Sequence, residues 1–144
     1  MIGIIVTGHG EFASGLASGL KLFAGKPEYF EAVDFNPEES IENLTDRLAE
    51  ALNKLSGCEA VAVFTDLTGG SPYNVASGMK RSGRYGDLEV AGGSNLPMVF
   101  HAYQFRTMIT DVRELLDASL EEGKSQMVRF QDSDSDEEEW EVEE

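Results

Sequence analysis

The sequence has few of the residues that crosslink secreted proteins or ligate metals, and it has no long apolar run. One cysteine, Cys58, and two histidines are present among 144 residues, so an intrachain disulfide and a Cys/His metal cluster are both excluded. The first residues lack the basic stretch that is typical of signal peptides. No segment approaches the roughly 18 apolar residues of a membrane-spanning helix. These absences predict a cytoplasmic protein that is not embedded in a membrane and that binds no metal or other cofactor.

Basic residues are also scarce, since 11 Lys and Arg stand against 27 Asp and Glu and give a net charge of −16. This balance argues against nucleic-acid binding, which needs clustered positive charge. Nine of the acids lie in residues 131–144, which hold no base. The composition therefore predicts one globular domain over residues 1–130, followed by an acidic tail that contains Trp140 and cannot bury enough apolar surface to become ordered.

Short apolar runs alternate along the chain with segments of helical periodicity. The runs predict strands at residues 2–7, 29–35, 60–65 and 88–91. The periodic segments predict helices at residues 11–23, 41–55, from 71 onward, 97–105 and 110–122. This alternation is typical of an α/β fold, in which a mostly parallel open sheet is covered by helices on both faces. Residues 126–130 predict a short C-terminal edge strand.

Three residues set the predicted ends of these helices. Ser40 is the expected N-cap of the second helix. Ser71 takes the same role before the third helix, because Pro72 favours the first helical position. Gly123 is the expected stop of the last helix, since glycine adopts the left-handed conformation that ends many helices.

Three glycine-rich loops follow predicted strands. They are residues 7–10, 66–72 and 92–97. In an open α/β sheet, ligands bind outside the carboxyl ends of the strands, where these loops would meet. Glycine lets backbone amides approach a ligand, and helices that begin just afterwards add free N–H groups. We therefore expect a shallow cup that suits an anion such as phosphate.

Two glycines flank His9 at the end of the first predicted strand. They remove steric cover, so the imidazole stays accessible to a large partner and is a usable nucleophile near neutral pH. Asp66 follows the third predicted strand, at the same edge if the two strands are neighbours. Its carboxylate would then bind one ring nitrogen and aim the lone pair of the other outward. We predict His9 as the reactive group and Asp66 as the residue that orients it, in preference to a capping role.

The loop after Asp66 supplies candidates for binding an anion on His9. The Ser71 hydroxyl and the amides around Gly70 point to where such an anion would lie, and a helix N-terminus stabilises negative charge. Thr68 is a weaker candidate for the same role. The other histidine, His101, falls within a predicted helix between aromatic residues and is expected to be packed or at the surface.

The three loops carry a family resemblance. The matching segments are IIVTGHG at 4–10, DLTGGSPYN at 66–74 and GGSNLPM at 92–98. At these segments the sequence resembles the enzyme IIA domain of the mannose family of the bacterial phosphoenolpyruvate:sugar phosphotransferase system, over roughly residues 1–130. Residues 7–15 look most like the amino-sugar branch, which includes the N-acetylgalactosamine transporters.

The resemblance implies a phosphotransferase that relays phosphoryl groups during sugar uptake. Phospho-HPr would phosphorylate His9 on Nε2, and His9 would pass the group to a histidine of a separate IIB protein. Asp66 would hold the other ring nitrogen, and Ser71 with nearby amides would receive the phosphoryl oxygens. The family fold implies a homodimer that exchanges a C-terminal strand at the position of residues 126–130. Association with the IIC and IID membrane components would come through IIB.

Two other functions match parts of the pattern. A histidine-phosphatase-type hydrolase has an Arg-His-Gly-Glu motif, but here Gly8 stands in place of the arginine, and His101 is poorly placed to act as the second histidine. A non-catalytic receiver-like signalling domain would be phosphorylated on Asp66. It would also need an acidic pair after the first strand and a lysine after the last, which this chain does not offer. The relay is the favoured hypothesis.

Overall fold

The computed structural model describes residues 1–132. The predicted acidic tail, including Trp140, lies outside the described residues from position 133 onward. Within these residues the chain forms four strands and five helices, which alternate until the last two helices. They are β1 (Ile2–His9), α1 (Phe12–Ala24), β2 (Phe30–Phe35), α2 (Ile41–Lys54), β3 (Ala60–Thr65), α3 (Ser71–Ser82), β4 (Leu88–Ala91), α4 (Leu96–Phe105) and α5 (Val112–Ser125).

The four strands form one parallel sheet in the order β2-β1-β3-β4. The chain runs outward from β1 to β2 and then returns to the other side of β1 to make β3. The strand order therefore reverses between β1 and β3, and in open parallel sheets this reversal opens a crevice at the carboxyl ends of the two strands. The register pairs Thr7 with Thr65, so the residues that follow these two threonines meet at that crevice.

Helices cover both faces of the sheet, as the continuous apolar runs of β1 and β3 require. Alternate residues of β1, such as Ile2 and Ile4, join the apolar core under α1, α4 and α5. Ile5 lies on the opposite face, in the core under α2 and α3. The predicted α/β fold with a parallel open sheet is confirmed. Among residues 1–132, no helix combines the length and the apolar character that crossing a bilayer requires.

Two of the predicted helix ends are wrong, although Ser40 does cap α2 by accepting a hydrogen bond from Asn43 N. The N-cap of α3 is Gly70 and not Ser71, and no side chain caps this helix. Ser71 is the first helical residue and Pro72 the second, because Pro is tolerated throughout the first turn, where N–H groups lack helical partners.

Gly123 does not end α5, which continues to Ser125. A Cβ atom at Gly123 would lie 2.9 Å from the Cβ atom of Met98, and Asn95 Nδ2 donates a hydrogen bond to the Gly123 carbonyl. Glycine is therefore used here for the close approach of α5 to α4, and not for a left-handed helix end.

Residues 126–130 form no strand within the single chain, so the sheet that residues 1–132 build has four strands and not five. Three apolar side chains of this segment, Met127, Val128 and Phe130, are between 66% and 80% exposed. A strand exchanged between two copies would find its partner only in the second copy, and that part of the prediction stays a prediction.

Candidate active site

His9 is the last residue of β1, and a turn at Gly10 separates it from α1. Gly10 adopts a positive φ of 57°, which costs glycine nothing. The Gly10 N–H donates a hydrogen bond of 2.7 Å to the carbonyl of Phe35, on the neighbouring strand β2. The turn that follows His9 is therefore held to β2, while 44% of the His9 side-chain surface remains exposed.

The Asp66 carboxylate holds His9 at two points. Its Oδ2 atom accepts hydrogen bonds from the His9 backbone N–H and from ring Nδ1, each at 2.9 Å, while Oδ1 accepts the Leu67 N–H at 2.7 Å. Because an ionised carboxylate only accepts, Nδ1 carries the proton. The lone pair of the neutral ring then lies on Nε2. The predicted pairing of His9 with Asp66 across adjacent strands is thus present, and the geometry selects the tautomer.

Asp66 is well suited to remain ionised in this position. Partial burial acts to raise the pKa of its carboxyl group, but the hydrogen bonds from the His9 backbone, the His9 ring and the Leu67 backbone outweigh burial, so the pKa lies below its ordinary value. A carboxylate held ionised beside the ring stabilises positive charge on the imidazole.

Gly8 makes the approach of Asp66 to His9 possible. A Cβ atom at this position would lie 2.8 Å from Asp66 Cγ and 2.6 Å from Phe12 Cδ2, distances that no real side chain tolerates. The glycine before His9 was expected to uncover the imidazole for a partner. Its structural effect is on the inner side of the site, where it leaves room for the carboxylate that orients the ring.

The other edge of the imidazole faces the start of α3. A Cβ atom built on Gly70 would lie 2.8 Å from His9 Cε1 and 3.5 Å from Nε2, so the backbone of Gly70 borders the free nitrogen. Gly70 is the N-cap of α3, and no side chain satisfies the first N–H groups of this helix. A helix N-terminus whose first N–H groups have no side-chain partner attracts anions. Ser71 follows directly, and its hydroxyl is free of the capping role that the sequence predicted.

Thr68 lies in the same loop, but its side chain packs against a different neighbour. A Cβ atom at Gly92 would overlap Thr68 Oγ1, so the threonine rests on the backbone of the loop after β4. Backbone bonds join these loops as well, since Gly93 N donates to the Asp66 carbonyl at 3.0 Å. The three glycine-rich loops therefore do converge at one edge of the sheet, where the loop after β4 supports the loop after β3.

Phe35 borders His9 on the side away from Gly70, and sequence reasoning did not identify it. It stands opposite His9 in the register of β1 and β2, and its ring meets the imidazole edge-on with 6.1 Å between ring centroids. Residues paired in register project to the same face of a sheet. The pairing of Phe35 with His9 can be used for prediction only once β1 and β2 are known to be neighbours.

The structure keeps His101 apart from this site. Its helix, α4, packs on the α1 and α5 face of the sheet, and the imidazole bonds to Ser119 of α5 at 3.0 Å between Nδ1 and Oγ. His9 projects to the other face, as its register partner Phe35 does. Within residues 1–132, no three side chains from His, Cys, Asp and Glu are grouped so as to hold a metal ion.

The assembled groups suit nucleophilic transfer of a small anionic group. They comprise an exposed imidazole nitrogen, a carboxylate that fixes its tautomer, and an uncapped helix start next to the nitrogen. A second histidine, as a phosphatase of the type considered above requires, is not brought to the site. A receiver-type role for Asp66 is also unsupported, because both of its carboxylate oxygens already accept hydrogen bonds from His9 or Leu67.

Known proteins are similar to this chain in sequence and in fold. The sequence model of the EIIA-man family, described as "PTS system fructose IIA component", matches residues 3–120. The fructose-specific EIIA component of Bacillus subtilis (strain 168) is 29% identical over 106 residues, which cover 74% of this chain and 71% of that protein. The mannose-specific EIIAB component of Escherichia coli (strain K12) is 30% identical over 123 residues, 85% of this chain but only 38% of that longer protein.

The crystal structure of phosphotransferase system component EIIA from Streptococcus agalactiae superimposes with a TM-score of 0.83 at 32% identity, covering 90% of this chain and 97% of that one. The family match spans most of the chain and includes all three loops of the site. The chain therefore belongs to the mannose family of IIA components of the sugar phosphotransferase system, the phosphotransferases that relay phosphoryl groups in sugar uptake.

Proposed function

We propose that His9 is the residue that carries the phosphoryl group in this relay. The lone pair of Nε2 attacks the phosphorus of phospho-HPr, so that a new N–P bond forms as the donor's P–N bond breaks and the donor nitrogen keeps the electron pair. The proton on Nδ1 stays in its bond to Asp66 throughout. The same step in the opposite direction then transfers the group from His9 to a histidine of a IIB protein.

The single observation that carries this proposal is the 2.9 Å bond between Nδ1 and Asp66 on a ring that is still 44% exposed. The bond leaves Nε2 as the nucleophilic atom, and the exposure lets two protein partners reach it in turn. An ionised Asp66 also stabilises the positive charge that the ring acquires when Nε2 attacks phosphorus.

Ser71 and the backbone at Gly70 are the proposed ligands of the phosphoryl oxygens. Gly70 lies against the Cε1–Nε2 edge of the ring, and the first N–H groups of α3 have no side-chain cap. A helix N-terminus favours an anion by up to ~2 kcal/mol in a partly buried setting. Such modest binding suits a carrier, which must release the group again. The role of Thr68 stays a prediction, since its side chain packs on Gly92.

We further propose that the relay operates in the cytoplasm, where IIB would connect this chain to the IIC and IID membrane components. An apolar rim supports docking of protein partners, since Leu67, next to Asp66, is 61% exposed and the Phe35 ring borders His9.

A homodimer is the proposed assembly. Strand β4 pairs only with β3, so its outer edge is free within residues 1–132. The exposed segment 127–130 carries the apolar side chains of a strand that has no place in its own sheet. A free edge and an unplaced apolar segment are complementary, and two copies would satisfy both by exchange.

Transfer from phosphoenolpyruvate through enzyme I and HPr tests the proposal directly. The wild-type chain should acquire one acid-labile phosphate, and His9→Ala should abolish the label. His101→Ala is the matched control, because it removes the only other histidine, and it should label normally. Normal labelling of His9→Ala would place the phosphoryl group elsewhere and overturn the proposal.

A further inference from the structure

The start of α1 is capped by a residue from another element. Its own N-cap, Glu11, makes no side-chain bond to the helix. The Asp34 carboxylate of β2 takes that place, since it accepts the backbone N–H of Ser14 at 2.9 Å and the Ser14 hydroxyl at 2.6 Å. Ser14 is the third residue of α1, the position whose N–H a capping side chain normally accepts.

Asp34 lies where it can control the turn that carries His9. It pairs with Gly8 in the register of β1 and β2, and the next pair is His9 with Phe35. The turn from His9 to α1 is thus tied to β2 twice, by the Gly10 N–H on the Phe35 carbonyl and by Ser14 on Asp34. Arg47 Nη1 in turn donates to the carbonyl of Asp34 and to the Glu39 carboxylate, which fixes the end of β2.

We propose that Asp34 is a positioning residue for phosphoryl transfer, acting through the turn that carries His9. This inference rests on the proposed function of His9 and adds a residue to it. Loss of the Asp34 bond would free the first turn of α1 and, through Gly10, the backbone of His9. Transfer reactions are sensitive to such freedom, because a displacement of about 1 Å can slow them by 10²-fold.

The charge of Asp34 gives the site a preferred side for the phosphoryl group. Two helices, α1 and α3, begin near His9, and each N-terminus attracts anions. The Asp34 carboxylate already occupies the start of α1, so it neutralises that helix end and repels a second anion there. The start of α3, beside Nε2, has no side-chain cap. The start of α3 is therefore the helix N-terminus that remains free to receive the phosphoryl group.

Two variants separate the parts of this role. Asp34→Ala removes both bonds to Ser14, whereas Asp34→Asn keeps a carbonyl oxygen for the Ser14 N–H and loses the charge. Asp46→Asn is the matched control: this exposed aspartate of α2 also loses its charge, and its carboxylate makes no hydrogen bond or ion pair in the described part of the chain. Each variant is studied well below its melting temperature, so that lost stability does not affect the rates.

The readouts are the kcat and KM for phospho-HPr and the ring-nitrogen resonances of His9 in the unphosphorylated protein. We expect kcat to fall about tenfold in Asp34→Ala and less in Asp34→Asn, with an unchanged KM, because the partner surface is intact while the nucleophile is misplaced. We also expect the fraction of Nδ1-protonated tautomer to fall. Asp46→Asn should match the wild type in both measurements.

A kcat within twofold of the Asp46→Asn value, together with unchanged His9 resonances, would reduce Asp34 to a structural cap and overturn the proposal. If Asp34→Ala does not fold, Asp34→Asn decides by the same criteria. A wild-type chain that accepts no phosphoryl group would instead refute the proposed function, and the His9 resonances would still show whether Asp34 positions the ring.

Discussion

At the scale of single residues, the site depends on one carboxylate that stays charged. Three hydrogen bonds hold the pKa of Asp66 below its ordinary value against the opposing effect of burial. A group whose pKa is lower in the folded chain than in the unfolded chain binds fewer protons when folded. The contribution of Asp66 to stability is therefore complete above the pKa of the unfolded chain, about 4, and is lost as the pH falls through the lower pKa of the folded chain.

Asp66→Asn should consequently destabilise the domain by about 2 kcal/mol at pH 7, because bonds to a charged acceptor are replaced by weaker ones. The difference from wild type should shrink as the pH falls below about 4, where the wild-type carboxylate also becomes protonated. Urea unfolding between pH 7 and pH values below 4 measures this difference in stability, with Asp46→Asn as the control. A difference that is constant over the whole pH range would mean that Asp66 does not act through its charge.

Gly70→Ala tests the contact between α3 and the ring. The φ and ψ of Gly70, −75° and 172°, are open to alanine, so the backbone can remain as it is. The new Cβ atom would meet His9 Cε1 at 2.8 Å and push the ring away. We expect phosphoryl transfer to slow by about tenfold or more. Gly78→Ala, in the same helix but in open space, is the control, and equal rates for the two variants would contradict this placement of the ring.

At the scale of elements, close packing between α4 and α5 sets the position of the loop after β4. Gly123 is the contact point, with Met98 on the other helix. Gly123→Ala should cost about 1–3 kcal/mol of stability, because the added methyl group overpacks the contact. Gly78→Ala should have the opposite sign and stabilise by about 0.5–1 kcal/mol, since alanine is the better helix former. Thermal unfolding of both variants measures these two changes in stability. An unchanged stability of Gly123→Ala would contradict the close contact between α4 and α5.

These elements also show what local sequence signals can predict. The third and fourth strands have the bounds that the sequence predicts, and for the third the reason is plain, since its unbroken apolar run is typical of a buried strand. The predicted N-cap at Ser71 is one residue off because proline is tolerated throughout the first turn, so Pro72 does not fix where α3 begins. The predicted helix end at Gly123 is wrong because glycine fits two local roles, and the contact with Met98, far away in sequence, decides between them. His9 and Asp66 were predictable from glycine and strand-end position. Phe35 and Asp34 were not, because only the order of the strands brings them to the site.

At the scale of the whole molecule, the unplaced segment 127–130 is the feature that a second copy would explain. A chain truncated after Gly123 should sediment as a monomer, while the full chain should sediment as a dimer, because truncation removes the strand that would be exchanged. The His9 site is built from residues of a single chain, so the truncated protein should still accept phosphate. Identical sedimentation of the two proteins would refute the exchange.

The central claim is that a phosphoryl group rests on one nitrogen of one imidazole, and nuclear magnetic resonance of the phosphorylated, ¹⁵N-labelled chain tests it most directly. The account predicts coupling between phosphorus and Nε2 of His9, with the proton retained on Nδ1 next to Asp66. Coupling to Nδ1 of His9, or a phosphoryl group on His101 or on Asp66, would contradict it.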